Sequence, residues 1–188
     1  MRLRKAEPGV TVKGVSRRVR GRERVGTRVT YEDLAGRGTS ERVVLRRCRR
    51  AGYGCYRLRP SVWRTLARIE ELRVREPGMP MATILERLAA EGALPPSKPL
   101  VEDLLAGVPA RRLAALMKRH TGGDVDPARP GVPDLFVFKR RPDGRPMAIR
   151  FVEVKRPGER VMPHQLAEIA FMRSLHLKAG VLRLIEAK

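Results

Sequence analysis

Cysteine, histidine and aromatic residues are scarce in this 188-residue chain, and each scarcity closes a route. The two cysteines, Cys48 and Cys55, have no CxxC spacing and no histidine nearby, which excludes a zinc knuckle or a disulfide scaffold as the basis of the fold. A reducing, cytoplasmic setting, bacterial or phage-encoded and nucleoid-associated, fits that usage. Four Phe, three Tyr and one Trp are too few for the stacking platforms of many single-strand binders, which weighs against an RNA-binding structural protein. No apolar run approaches the length of a membrane span, and the basic start lacks the apolar stretch of a signal peptide, so no membrane partner is expected.

Acidic residues are also short: 20 Asp plus Glu stand against 41 Lys plus Arg, giving +21, and a polyanion is the default partner of such a chain. The excess is uneven, with 18 bases and 5 acids in residues 1–60, against 13 and 8 in residues 121–188. The first third is therefore the main electrostatic arm. Residues 14–26 hold too few large apolar side chains to build a core and are expected to stay mobile until they meet a phosphate backbone. Arginine dominance also fits a GC-rich coding bias, so charge alone does not establish catalysis.

Up to about Gly38 the chain reads as short β segments or irregular structure. Thr39 or Ser40 is placed to cap a helix running from Glu41 to about Arg50, and residues 53–58 read as a short strand. Helical periodicity then recurs after Pro60, over 81–92, 100–106 and 110–119, with LPPSKP at 94–99 as a linker; Leu, Ile and Met stripes in this stretch imply a small helical layer. The period changes at LFVFK (135–139). That strand, Pro-Asp-Gly turn signals and MAIRFVEVK (147–155) form a hairpin; a helix over 164–176 starts behind Pro163, and VLRLIEA (181–187) is a last strand. The class is α/β, a mixed sheet flanked by helices, with a basic N-terminal region over 1–38, a helical part over 39–119 and a core over 120–188.

The chemistry-bearing residues lie in that core. Strand side chains alternate, so Glu153 and Lys155 share a face, and Asp134 stands just before the neighbouring strand. If Asp134 reaches the same height, two carboxylates converge beside one ammonium. Such a group suits Mg2+ or Mn2+, hard ions that prefer oxygen ligands. From spacing alone, a metal site and a Glu153–Lys155 ion pair on a solvated strand face are equally open.

The string GVPDLFVF (131–138), a strand turn, and FVEVKRPGERVMPHQLAEI (151–169) resemble the VRR-NUC family, the virus-type replication and repair nuclease branch of the PD-(D/E)XK superfamily, and in particular the C-terminal nuclease domain of the Fanconi-associated type. The matching elements are Gly131, Pro133, Asp134, Glu153, Lys155 and Gln165, the last preceded by His164, where the family often has another basic residue. The resemblance implies a VRR-NUC-like nuclease domain over 39–188 of the restriction-endonuclease-like type, its catalytic core over 120–188, with Asp134 and Glu153 as ligands of Mg2+ or Mn2+, Lys155 as the catalytic lysine and Gln165 near the site. It implies a further acid from an upstream helix, for which Glu41 is the candidate and Glu86 and Glu102 the rivals. The implied activity is metal-dependent endonucleolytic cleavage of branched or flapped DNA, with a homodimer as an economical way to span a junction. An exonuclease or restriction-type nuclease with the same centre is the alternative enzyme, and a non-catalytic junction- or DNA-binding protein the alternative outside catalysis.

Overall fold

A computed structural model describes residues 12–19, 22–31, 40–92, 97–156 and 158–186. Strands β1 (Val12–Val19) and β2 (Arg22–Tyr31) come first, followed by α1 (Ser40–Arg50), β3 (Gly54–Arg57), α2 (Val62–Arg75) and α3 (Met81–Ala90). Then come α4 (Lys98–Gly107), α5 (Ala110–Thr121), β4 (Leu135–Arg140), β5 (Pro146–Lys155), α6 (Pro163–Ser174) and β6 (Ala179–Glu186). The six strands make one sheet in the order β1-β2-β6-β5-β4-β3. Pairing is antiparallel for β1–β2, β3–β4 and β4–β5 and parallel for β2–β6 and β5–β6, so the sheet is mixed.

Two expectations change. The segment expected to stay mobile supplies β1 and β2, and β2 runs parallel to β6, so backbone pairing organises it without a phosphate partner. The stretch read as a linker is partly helical: residues 93–96 and Thr39 lie outside the described residues, but Lys98 and Pro99 open α4, where a proline in the first turn lacks only an N–H that the helix would leave unbonded anyway. The second strand of the hairpin, read to Lys155, ends there as β5, and Pro157 lies outside the described residues.

Alternation along the central strands divides the core into two layers. Phe136, Phe138 and Phe151 face a large cluster built with Trp63, Leu66 and Ile69 of α2, Leu104 of α4, Leu116 of α5 and Met172 of α6. Leu135, Val137, Val154 and Leu184 face the other way, against Val44 and Cys48 of α1. The apolar stripes read from the sequence as a helical layer thus cover one sheet face, and α1 alone covers described residues of the other. The same alternation gives the even positions of β4 and the odd positions of β5 a common side, the side on which α6 lies.

Candidate active site

Antiparallel pairing sets Leu135 against Val152 and Phe136 against Phe151. Continued by one residue, that register places Asp134 opposite Glu153, on the Phe136–Phe151 side of the sheet. Like charges facing each other across two strands repel, and here the repulsion acts in a dry place: Glu153 is 2% exposed and Lys155 4%. Lys155 Nζ lies 2.9 Å from Glu153 Oε1. The ion pair that the sequence allowed is present, but the solvated strand face that went with it is not.

The two oxygens of Glu153 are treated differently. Oε1 accepts hydrogen bonds from Lys155 and from the Gln165 side-chain amide. Oε2 is buried with no hydrogen-bond partner among the described residues. A buried carboxylate oxygen left this way costs about 1–3 kcal/mol or more. Burial, and then the negative charge of Asp134, push the Glu153 carboxyl up to about 7 against the opposing pull of Lys155. Burial also raises Asp134, although its Oδ2 accepts the Val154 N–H at 2.8 Å. For Lys155, burial works against the charged form, but the hydrogen bond and charge of Glu153, with Glu159, outweigh it and hold the ammonium above its ordinary pKa.

Helix α6 brings Gln165 to this point. Its Oε1 accepts the backbone N–H of Met162 at 3.0 Å, closing the first turn of the helix, and that bond turns its NH2 group toward Glu153. The loop before β4 packs against the same helix end. Gly131 has φ of 68°, and a β-carbon there would collide with the His164 carbonyl, so glycine is required both by conformation and by contact. The Gly-x-Pro-Asp string therefore has a physical content: it seats Asp134 by letting the loop touch the turn that carries Gln165.

Glu41 opens α1 and lies close enough for its charge to raise Asp134 further. Glu86 is exposed on α3; Glu102 is exposed on α4, 3.8 Å from Lys98, in a surface pair. Sequence reasoning passed over Glu159. Its Oε1 is 3.4 Å from Lys155 Nζ, and its Oε2 accepts the Arg156 N–H at 2.9 Å, so the turn after β5 folds an acid back onto the lysine. The Pro157-Gly158 pair was the available signal of that turn. It also passed over Glu168, 1% exposed, which holds His120 at 2.9 Å and Arg119 at 3.0 Å and ties α6 to α5 one turn beyond Gln165.

Among the described residues no group of three His, Cys, Asp or Glu side chains forms a ready metal cage. The donor set nevertheless fits a hard divalent cation. Asp134 and Glu153 are facing carboxylates, with one buried Glu153 oxygen left without a partner and like-charge repulsion to relieve, and Mg2+ typically takes one or two carboxylates and fills its remaining positions with water and phosphate oxygens.

Residues 86–184, more than half of the chain, match the family model described as the VRR-NUC domain. The chain belongs to the VRR-NUC domain family. Its core is accordingly of the PD-(D/E)XK, restriction-endonuclease-like type, a mixed sheet flanked by helices. Among solved structures, this VRR-NUC chain resembles paFAN1 bound to 1nt 5′ flap DNA with gap, at a TM-score of 0.63 and 18% identity, over 87% of this chain and 38% of that one. It resembles paFAN1 bound to 2nt 5′ flap DNA with gap at 0.62 and 18%, over 88% and 38%. The likeness is one of fold, and the chain spans 38% of the length of those proteins. A search of curated proteins finds no match. No helix of the described residues is long and apolar enough to cross a membrane.

Proposed function

We propose that this VRR-NUC chain is a Mg2+- or Mn2+-dependent nuclease that hydrolyses phosphodiester bonds in DNA. The observation that carries the reading is the pair of facing carboxylates, half-buried Asp134 and buried Glu153, with Lys155 2.9 Å from Glu153. Asp134 and Glu153 would hold the cation, with Glu41 as the further acid. A bound divalent ion supplies positive charge against the phosphate oxygens and makes water at the site easier to deprotonate.

The chain's own groups do the rest. Gln165 fixes the Glu153 carboxylate in one orientation, and the Val154 N–H does the same for Asp134, so neither must reorganise when substrate arrives. Lys155 is held charged and directs its ammonium to the phosphate oxygens as negative charge builds there. Water oxygen bonds to phosphorus, one P–O ester bond breaks, and the departing oxygen takes up a proton, leaving a phosphate end and a hydroxyl end. Branched or flapped DNA is the proposed substrate class, supported by the 5′ flap DNA held by the structurally similar paFAN1. The net charge supports backbone contacts that select shape rather than sequence.

The test is cleavage of labelled linear, flapped and four-way DNA with Mg2+, Mn2+ or EDTA, comparing the parent with Lys155→Ala and Asp134→Ala. Metal-dependent cutting, lost in both variants, is expected, with flapped or branched DNA cut first. Binding of every DNA without cutting of any would refute the enzyme and favour a DNA-binding protein.

A further inference from the structure

Helix α1 carries five arginines and a single acid, Glu41. Arg42, Arg46, Arg49 and Arg50 are exposed and recur at intervals of four, three and one, which puts them on one stripe of the helix, opposite the buried Ser40, Val44 and Cys48. In the helical layer on the other sheet face three arginines are tied to glutamates, Arg68 to Glu71 at 3.0 Å, Arg73 to Glu70 at 2.9 Å and Arg87 to Glu76 at 2.6 Å, while the exposed Arg75 and Arg111 stand far from the acidic pair's end of the sheet as isolated charges on separate helices. Among the described residues, Arg42, Arg49 and Arg50 stand within salt-bridge distance of no carboxylate.

The placement of the stripe ties it to the acids. A turn at Ala51–Tyr53, closed by the Tyr53 N–H on the Cys48 carbonyl at 2.9 Å, reverses the chain between α1 and β3. The start of α1 and the end of β3 therefore lie at one end of the sheet. That is the end where Asp134 sits: Arg57, exposed at the end of β3, pairs with Leu135 in register, and the charges of Glu41 and Arg57 both act on Asp134. The stripe begins at Arg42, beside Glu41, and Arg49 lies about 10 Å farther along the helix axis.

We infer that the outer face of α1 is the track for the phosphate backbone of the DNA that enters or leaves the acidic pair, with Arg42, Arg49 and Arg50 contacting successive phosphates. The inference rests on the nuclease reading and adds to it the direction in which substrate runs. Guanidinium forks suit phosphate oxygens bidentately, and contacts of this kind carry no sequence information, in keeping with selection by shape.

The experiment measures binding of a labelled duplex and a flapped DNA by the full chain in EDTA, across a salt series. Arg42→Gln/Arg49→Gln is compared with Arg75→Gln/Arg111→Gln, which removes the same charge from exposed positions on the helices of the opposite face. The stripe variant is expected to flatten the slope of log K against log salt by nearly 2, about 0.9 for each lost phosphate contact, and to weaken binding tenfold or more at low salt. The control pair is expected to retain the parent's slope, and Arg42→Lys/Arg49→Lys to recover most of it. Equal losses in the two glutamine variants, or an unchanged slope in the stripe variant of a parent that binds DNA, would overturn the track and leave the nuclease reading standing. A parent that binds neither DNA would overturn both.

Discussion

Without a divalent cation, Glu153 should make the protein less stable as pH rises. Its carboxyl stands at about 7 in the folded protein against an ordinary 4.5. The folded chain therefore holds that proton more tightly than the unfolded chain does. Its contribution to stability is greatest below about pH 4.5, declines through the interval up to about 7 and is flat above it. Two and a half pH units correspond to about 3 kcal/mol, and for a chain of this size that is about 6–12 °C in Tm. Asp134, also raised, adds in the same direction. Glu153→Gln keeps the shape and removes the titration. It also leaves Lys155 without the charged partner that the parent has only where Glu153 is ionised, an effect already contained in the parent's titration, so the informative quantity is the difference in slope. Thermal unfolding in EDTA between pH 4 and 8 should show the parent losing stability relative to Glu153→Gln, by about 3 kcal/mol over the range. Saturating Mn2+ at pH 8 should then raise the parent's Tm and leave the variant's nearly unmoved. Parallel pH curves for the two proteins would refute the argument, because they would mean that Glu153 is already ionised and solvated in the folded state.

Three other outcomes are expected. Glu41→Gln should weaken Mn2+ binding about tenfold or more in calorimetric titrations, and an unaltered affinity would leave Glu41 as a distant charge only. Gly131→Ala should cost about 2 kcal/mol in urea unfolding, since it combines a left-handed φ with a collision at the His164 carbonyl. Asp103, buried on α4, accepts the Tyr56 hydroxyl at 2.8 Å and both terminal nitrogens of Arg140 at 2.9 and 2.7 Å. Asp103→Ala should therefore lower stability by about 2 kcal/mol, less than a fully buried pair would lose because Arg140 is half exposed.

Legibility in the sequence followed the range of the interactions. Asp134, Glu153 and Lys155 were readable because strand alternation and a hairpin turn fix which side chains face one another within 21 positions. Gln165 came from the resemblance and not from periodicity, which says where a helix lies but not what its first turn touches. Glu41 stands 93 positions before Asp134, and no spacing rule reaches that far. Glu159 lies beyond the end of β5, where neither strand alternation nor helical period tells that it folds back onto Lys155. Glu168 carried no signal in the sequence, because its burial depends on His120 and Arg119 from another helix. The basic first third was read for its charge and as short β segments or irregular structure, and neither reading says that β2 pairs with β6.

The separation of Glu41 from the other acids also bears on the order in which the site assembles. Asp134 and Glu153 are joined by a 19-position hairpin, whereas bringing Glu41 to Asp134 closes a loop of 93 positions, an entropy cost greater by about 1.4 kcal/mol. The facing carboxylates should thus form early in folding, with the docking of α1 completing the constellation late. In partial unfolding the sequence of events reverses, and a chain that has shed only α1 would keep its facing carboxylates while losing Glu41 and the arginine stripe together.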